Sequence, residues 1–84
     1  MNMTEAWLLT TAGCHLCEEA AALLDAYRAR HPAWQYCQRE LFDAETPNEL
    51  RARFWDKIPV LLRDDSQAVL CWPFDDAQLA RFLS

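Results

Sequence analysis

Basic charge is scarce in this chain. Asp and Glu number 13 against 8 Lys and Arg, a formal net charge of −5 at pH 7, and the one basic cluster is Arg51, Arg53 and Lys57. Nucleic-acid binding is disfavoured, because phosphate contacts need a basic face. Long hydrophobic runs are missing as well. The apolar stretch after Met1-Asn2-Met3-Thr4-Glu5 is too short for a membrane span, and no basic flank precedes it as in a signal peptide. The expectation is a cytoplasmic protein that engages neither nucleic acid nor membrane. No linker, repeat, low-complexity tract or charge block divides the sequence, so residues 1–84 read as a single domain. A second C-x-x-C or an H-x-x-x-H is absent too. Zinc wants four ligands, so no metal is expected, and no organic cofactor.

What the chain does have is apolar mass. Hydrophobic residues make up 52% of it, including 4 Trp, 4 Phe and 2 Tyr. A domain of this length buries roughly 60–65% of its unfolded surface, and the tryptophans are expected in that core. Lasting disulfides are rare in the cytosol. The 4 cysteines therefore suggest one reactive pair, with Cys37 and Cys71 as small buried hydrophobes.

Ala6-Trp7-Leu8-Leu9-Thr10 reads as a strand covered on both faces, continuous rather than alternating. A helix is predicted from about Cys14 to Arg30, with Leu16, Ala20, Leu23, Leu24 and Tyr27 at helical spacing and Pro32 as the stop. Residues 34–41 form a second strand, made polar by Gln35, Gln38, Arg39 and Glu40 and so assigned to a sheet edge. Thr46-Pro47-Asn48-Glu49 suggests a capping box, with Thr46 as N-cap and Pro47 at the first helical position of a helix reaching about Trp55. Arg51 and Arg53 read as its solvated face. Residues 59–63 and 67–71 form a hairpin around Asp64-Asp65-Ser66, and a last helix covers about 75–83. The order is βαβαββα, an α/β arrangement in which the first two strands are parallel and the closing hairpin is antiparallel.

Cys14-His15-Leu16-Cys17 is the motif that carries chemistry. The spacing alone fits a redox pair, half of a zinc site, or chance. Its placement is more telling. Where a strand ends and a helix begins, the first thiol meets unpaired backbone N–H groups and the positive end of the helix dipole, which favour the thiolate. A thiolate is the nucleophile of disulfide exchange. His15 is placed to tune the pair by hydrogen bonding to the Cys14 sulfur, or simply to stand in solvent. His31, before Pro32, reads as a surface residue at a helix C-terminus.

Three stretches together resemble the thioredoxin fold, and within it the small bacterial glutaredoxin-like proteins: Thr11-Ala12-Gly13-Cys14-His15-Leu16-Cys17-Glu18, Lys57-Ile58-Pro59-Val60-Leu61-Leu62, and Asp75-Asp76. The resemblance covers nearly the whole chain. It implies a four-stranded mixed sheet with helices on both faces, Cys14 as nucleophile, Cys17 as resolving thiol and Pro59 as a cis proline beside them. A cis Ile58-Pro59 bond would turn the Ile58 backbone toward an extended substrate. The implied activity is thiol–disulfide oxidoreduction on protein or small-thiol disulfides, recycled by glutathione or a thioredoxin-type system.

Two departures from that pattern qualify the substrate. Trp72-Pro73 stands where glutaredoxins place a glycine pair close to glutathione, so a backbone donor is lost and a large ring is expected to line the groove beside Cys14. Asp75 and Asp76 match the acidic pair that meets a substrate ammonium. Glu18 and Glu19, in place of a preceding lysine, add negative charge near the dithiol. Weak dependence on glutathione is the expected result. The other class of function is a binding module that recognises a partner or an iron–sulfur cluster at the Cys14 groove with little turnover.

Overall fold

The computed structural model describes residues 5–83; Met1 to Thr4, part of the N-terminal reading above, lie outside them. β1 (Ala6–Thr10) is the strand around which the rest is arranged. It pairs in parallel with β2 (Tyr36–Glu40), from Ala6 opposite Tyr36 to Thr10 opposite Glu40. On its other side it pairs antiparallel with β3 (Val60–Arg63), Leu9 opposite Val60. β4 (Val69–Cys71) closes the hairpin with β3, and the sheet order is β2-β1-β3-β4. The polar second strand does lie at an edge, as its composition predicted.

Side chains alternate across a strand, so a strand buried on both sides needs apolar residues at consecutive positions. Leu8 and Leu9 meet that requirement. Leu8 joins Ala20, Leu24, Leu61 and Leu79 in a core beneath α1 (His15–Arg30) and α3 (Asp76–Leu83). Leu9 joins Leu41, Phe54 and Val60 beneath α2 (Asn48–Phe54), on the opposite face. Helices therefore cover both faces. Each fully buried leucine contributes about 1.5–3 kcal/mol relative to exposure. None of the described helices is long and apolar enough to cross a membrane.

Several local expectations are corrected. Thr46 is not a helix cap. Its hydroxyl donates to the Glu40 carbonyl at 2.7 Å, and Pro47, with ψ 139°, is the extended N-cap, so α2 starts only at Asn48 and has no side-chain cap. The reciprocal box occurs instead at α3. The Gln78 N–H donates to Asp75 Oδ1 at 2.8 Å, and the Asp75 N–H to Gln78 Oε1 at 2.9 Å. Arg51 is not merely solvated, because its guanidinium binds the carbonyls of Asp43 and Thr46 and the Asn48 side chain, tying the β2–α2 loop to the helix. β4 is shorter than predicted because Gln67 takes a left-handed conformation (φ 61°) to end the turn.

The cysteine and tryptophan expectations also change. Cys37 and Cys71 are both exposed. They lie on the two edge strands, opposite Trp7 and Val60, on the face that α2 covers. A seven-residue helix is only about 10 Å long, and it leaves these two positions uncovered. Trp34 is buried, but Trp55, one residue past α2, is 63% exposed.

Candidate functional site: a dithiol at the head of α1

β1 delivers the chain to a tight turn at Thr11–Ala12–Gly13. Gly13 has φ 78°, a left-handed conformation that costs glycine nothing and most residues a good deal. The turn is closed by a hydrogen bond from the Cys14 N–H to the Thr11 carbonyl, 3.3 Å. Cys14 is then the N-cap of α1, extended at φ −88° and ψ 108°, and its Sγ accepts the Cys17 N–H at 3.2 Å. A sulfur in a capping position takes up one of the helix's orphan donors. The same geometry stabilises negative charge on that sulfur.

Cys14 and Cys17 are joined as a disulfide with Cα atoms 5.2 Å apart. Their surroundings differ. Cys14 is half-buried, whereas Cys17, at 3% exposure, faces inward. The outer sulfur is the one a substrate can reach.

Glu40, at the end of β2, holds this turn in place. Its Oε1 accepts the Ala12 N–H at 2.9 Å and the Thr11 hydroxyl at 3.1 Å, while Oε2 accepts the Phe42 N–H at 3.0 Å. The Phe42 N–H above all, joined by the Ala12 N–H and the Thr11 hydroxyl, holds the carboxyl below its ordinary pKa and outweighs the opposing effect of burial. Sequence reasoning read Glu40 only as a mark of an edge strand. A usable signal was its position at the carboxyl end of a parallel strand, where α/β sheets place their sites.

The remaining candidates divide into two flanks. On the β3–β4 side, Ile58-Pro59 is cis, Pro59 immediately precedes the Val60 that pairs with Leu9, and the Trp72 N–H donates to the Pro59 carbonyl at 3.1 Å. Trp72-Pro73 is cis as well. The Trp72 ring is half-buried against the core under α1 and α3, edge-on to Phe74 at 5.1 Å. Asp75 is engaged in its own helix cap, and Asp76 pairs with Arg30 at 2.8 Å. His15 is exposed, with Nδ1 3.9 Å from Glu18 Oε2, and the hydrogen bond to Cys14 Sγ comes from the Cys17 amide.

The β2 side holds a cavity of 490 Å³ bounded by the 11–13 turn, α1 and Gln38. Cys14, Cys17, Glu18 and Asp25 all border it, and Trp72 and Pro59 do not. Asp25 Oδ1 accepts the Tyr36 hydroxyl at 2.6 Å. Burial, and then that carboxylate, push the Tyr36 phenol up to about 12. Among the described residues, no three His, Cys, Asp or Glu side chains converge as metal ligands.

Comparison with known proteins agrees with this architecture. The family description Glutaredoxin-like domain (DUF836) matches residues 5–84. A crystal structure from X. campestris, described as Northeast Structural Genomics target protein XcR50, is 27% identical with a TM-score of 0.70, over 93% of each chain. No curated protein matches.

Proposed function

The chain belongs to the glutaredoxin-like domain family, and from that premise we propose that it is a dithiol–disulfide oxidoreductase. The observation that carries this reading is the asymmetric environment of the pair: an outer sulfur capped by a helix N–H, and an inner sulfur held one turn along the same helix. In the reduced protein, the Cys14 thiolate attacks one sulfur of a substrate disulfide. The substrate S–S bond breaks, its other sulfur leaves as a thiolate and takes a proton from solvent. Cys17 then loses its proton and attacks Cys14 Sγ, releasing the second substrate thiol. Two electrons have passed to the substrate and the Cys14–Cys17 disulfide remains. A dithiol or two monothiols reverse the last steps and reset the protein.

The cis Ile58-Pro59 segment lies at the same end of the sheet as the dithiol, which supports docking of an extended substrate along it. By the resemblance, Trp72-Pro73 stands where glutaredoxins grip glutathione, and a proline supplies no N–H there. That supports use of protein disulfides over glutathione adducts. The test is reduction of insulin and of bis(2-hydroxyethyl) disulfide, with dithiothreitol as donor. Wild type is expected to exceed the uncatalysed rate and Cys14→Ser to equal it. Equal rates for the two proteins would leave the binding-module reading in its place.

A further inference from the structure

The three large hydrophobic side chains that stand exposed among the described residues all belong to the end of the sheet that carries the dithiol. They are Leu16 at 48%, Phe42 at 52% and Trp55 at 63% exposure. Leu16 lies between the two cysteines. Phe42 donates its N–H to the same Glu40 carboxylate that holds Thr11 and Ala12. Trp55 follows Phe54, which packs with Leu41 and Val60 where β1 ends and β3 begins. Three exposed large apolar side chains at one end of the sheet, the end that carries the reactive disulfide, offer apolar surface to a bound substrate.

The cavity on the β2 flank has the opposite chemistry. Glu18 and Asp25 border it and no Lys, Arg or His does. Glu18 is 78% exposed in its side chain, and Asp25 retains 53% exposure despite its bond to Tyr36 and its 3.2 Å contact with Arg28. The disulfide borders this same space, so a residue adjacent to a captured substrate cysteine would place its side chain there. A volume of 490 Å³ is ample for one lysine or arginine side chain. A group bearing carboxylates, as glutathione does, would meet like charge.

We infer that the dithiol serves a polypeptide substrate whose reactive cysteine is flanked by a basic residue on one side and apolar residues on the other. The basic side chain occupies the Glu18–Asp25 cavity, and the apolar neighbours cover Leu16, Phe42 and Trp55. This rests on the oxidoreductase reading and adds its substrate class. The covalent step is the exchange already described, and the electrons come from the reduced dithiol.

The experiment is single-turnover oxidation of the pre-reduced full chain by three disulfides, followed by acid quench and mass spectrometry. Two are symmetric peptide disulfides identical except that the cysteine is flanked by Leu and Lys or by Leu and Glu; the third is neutral bis(2-hydroxyethyl) disulfide. The Lys peptide should react about tenfold faster than the Glu peptide at low ionic strength, and the ratio should shrink as salt is raised toward ~1 M. Glu18→Gln and Asp25→Asn should each bring that ratio closer to one. Phe42→Ala combined with Trp55→Ala should lower the ratio of peptide to small-disulfide rates by about threefold or more. A Lys-to-Glu ratio near one in wild type, or one that neither carboxylate substitution moves, overturns the inference while the dithiol chemistry stands. Failure with bis(2-hydroxyethyl) disulfide as well would overturn the oxidoreductase reading itself, which is a separate and distinguishable result.

Discussion

Replacing Glu40 with glutamine tests how the reactive turn is held. The carboxylate receives three donors, the Ala12 N–H and Thr11 hydroxyl on Oε1 and the Phe42 N–H on Oε2. A glutamine keeps one oxygen and sets its NH₂ against a backbone N–H, so at least one charge-assisted bond is lost and two donors confront each other. Such bonds contribute about 1.5–3 kcal/mol each when well shielded; this carboxylate is largely solvated, so about 1–2 kcal/mol is the reasonable net loss. For a domain of this size that corresponds to a fall in Tm of roughly 5–10 °C at neutral pH. The sign of the pH dependence follows from the depressed pKa. Glu40 contributes its stability above the ordinary glutamate value of 4.5, and that contribution is lost as pH falls through its lower folded value. Thermal melts of wild type and Glu40→Gln should therefore differ at pH 7 and converge in acid. Identical melts at pH 7, or a gap that persists undiminished in acid, would refute the clamp.

Brief iodoacetamide treatment of the reduced protein at mildly acidic pH should modify Cys14 first, with Cys17 protected by burial; Cys37 and Cys71, exposed but not at a helix N-terminus, should follow on longer treatment, and peptide mass mapping gives the order. Asp75→Ala removes the cap of α3 and should cost about 1 kcal/mol in urea unfolding at neutral pH, whereas Thr46→Ala should act through the Glu40 carbonyl bond and leave α2 without any cap to lose. Spectrophotometric titration should show one tyrosine ionising near 12, and Asp25→Asn should bring it down, since the carboxylate that resists a phenolate charge is gone. An unchanged titration curve in Asp25→Asn would assign the shift to burial alone.

The elements legible in the sequence were those whose signal is continuous along the chain. The unbroken apolar run of β1, the helical spacing of Leu23, Leu24 and Tyr27, and the polar character of β2 each have one structural solution. The resemblance to glutaredoxin-like proteins then placed Cys14 and Pro59 at one end of the sheet. What escaped depended on pairings across the fold. Thr46 and Glu49 carry the letters of a capping box, yet the Thr46 hydroxyl is taken by the end of β2. Asp75 and Gln78 form the real box at the same spacing. Cys37 and Trp55 are apolar by composition, but Cys37 lies on an edge strand and Trp55, the C-cap of α2, stays exposed. The Glu40 clamp and the cavity beneath Gln38 arise where the β2 end meets the turn before Cys14, a contact between residues distant in sequence.

The central claim is that Cys14 attacks and Cys17 resolves. Removing the resolving thiol tests it most directly. Reduced Cys17→Ser protein, mixed with a cysteine-containing peptide disulfide, should accumulate a stable mixed disulfide whose mass equals protein plus one peptide chain, with the link mapped to Cys14. Wild type under the same conditions should pass to the intramolecular disulfide and release both peptide chains as thiols. A link mapped to Cys37 or Cys71, or no adduct at all, would contradict the account.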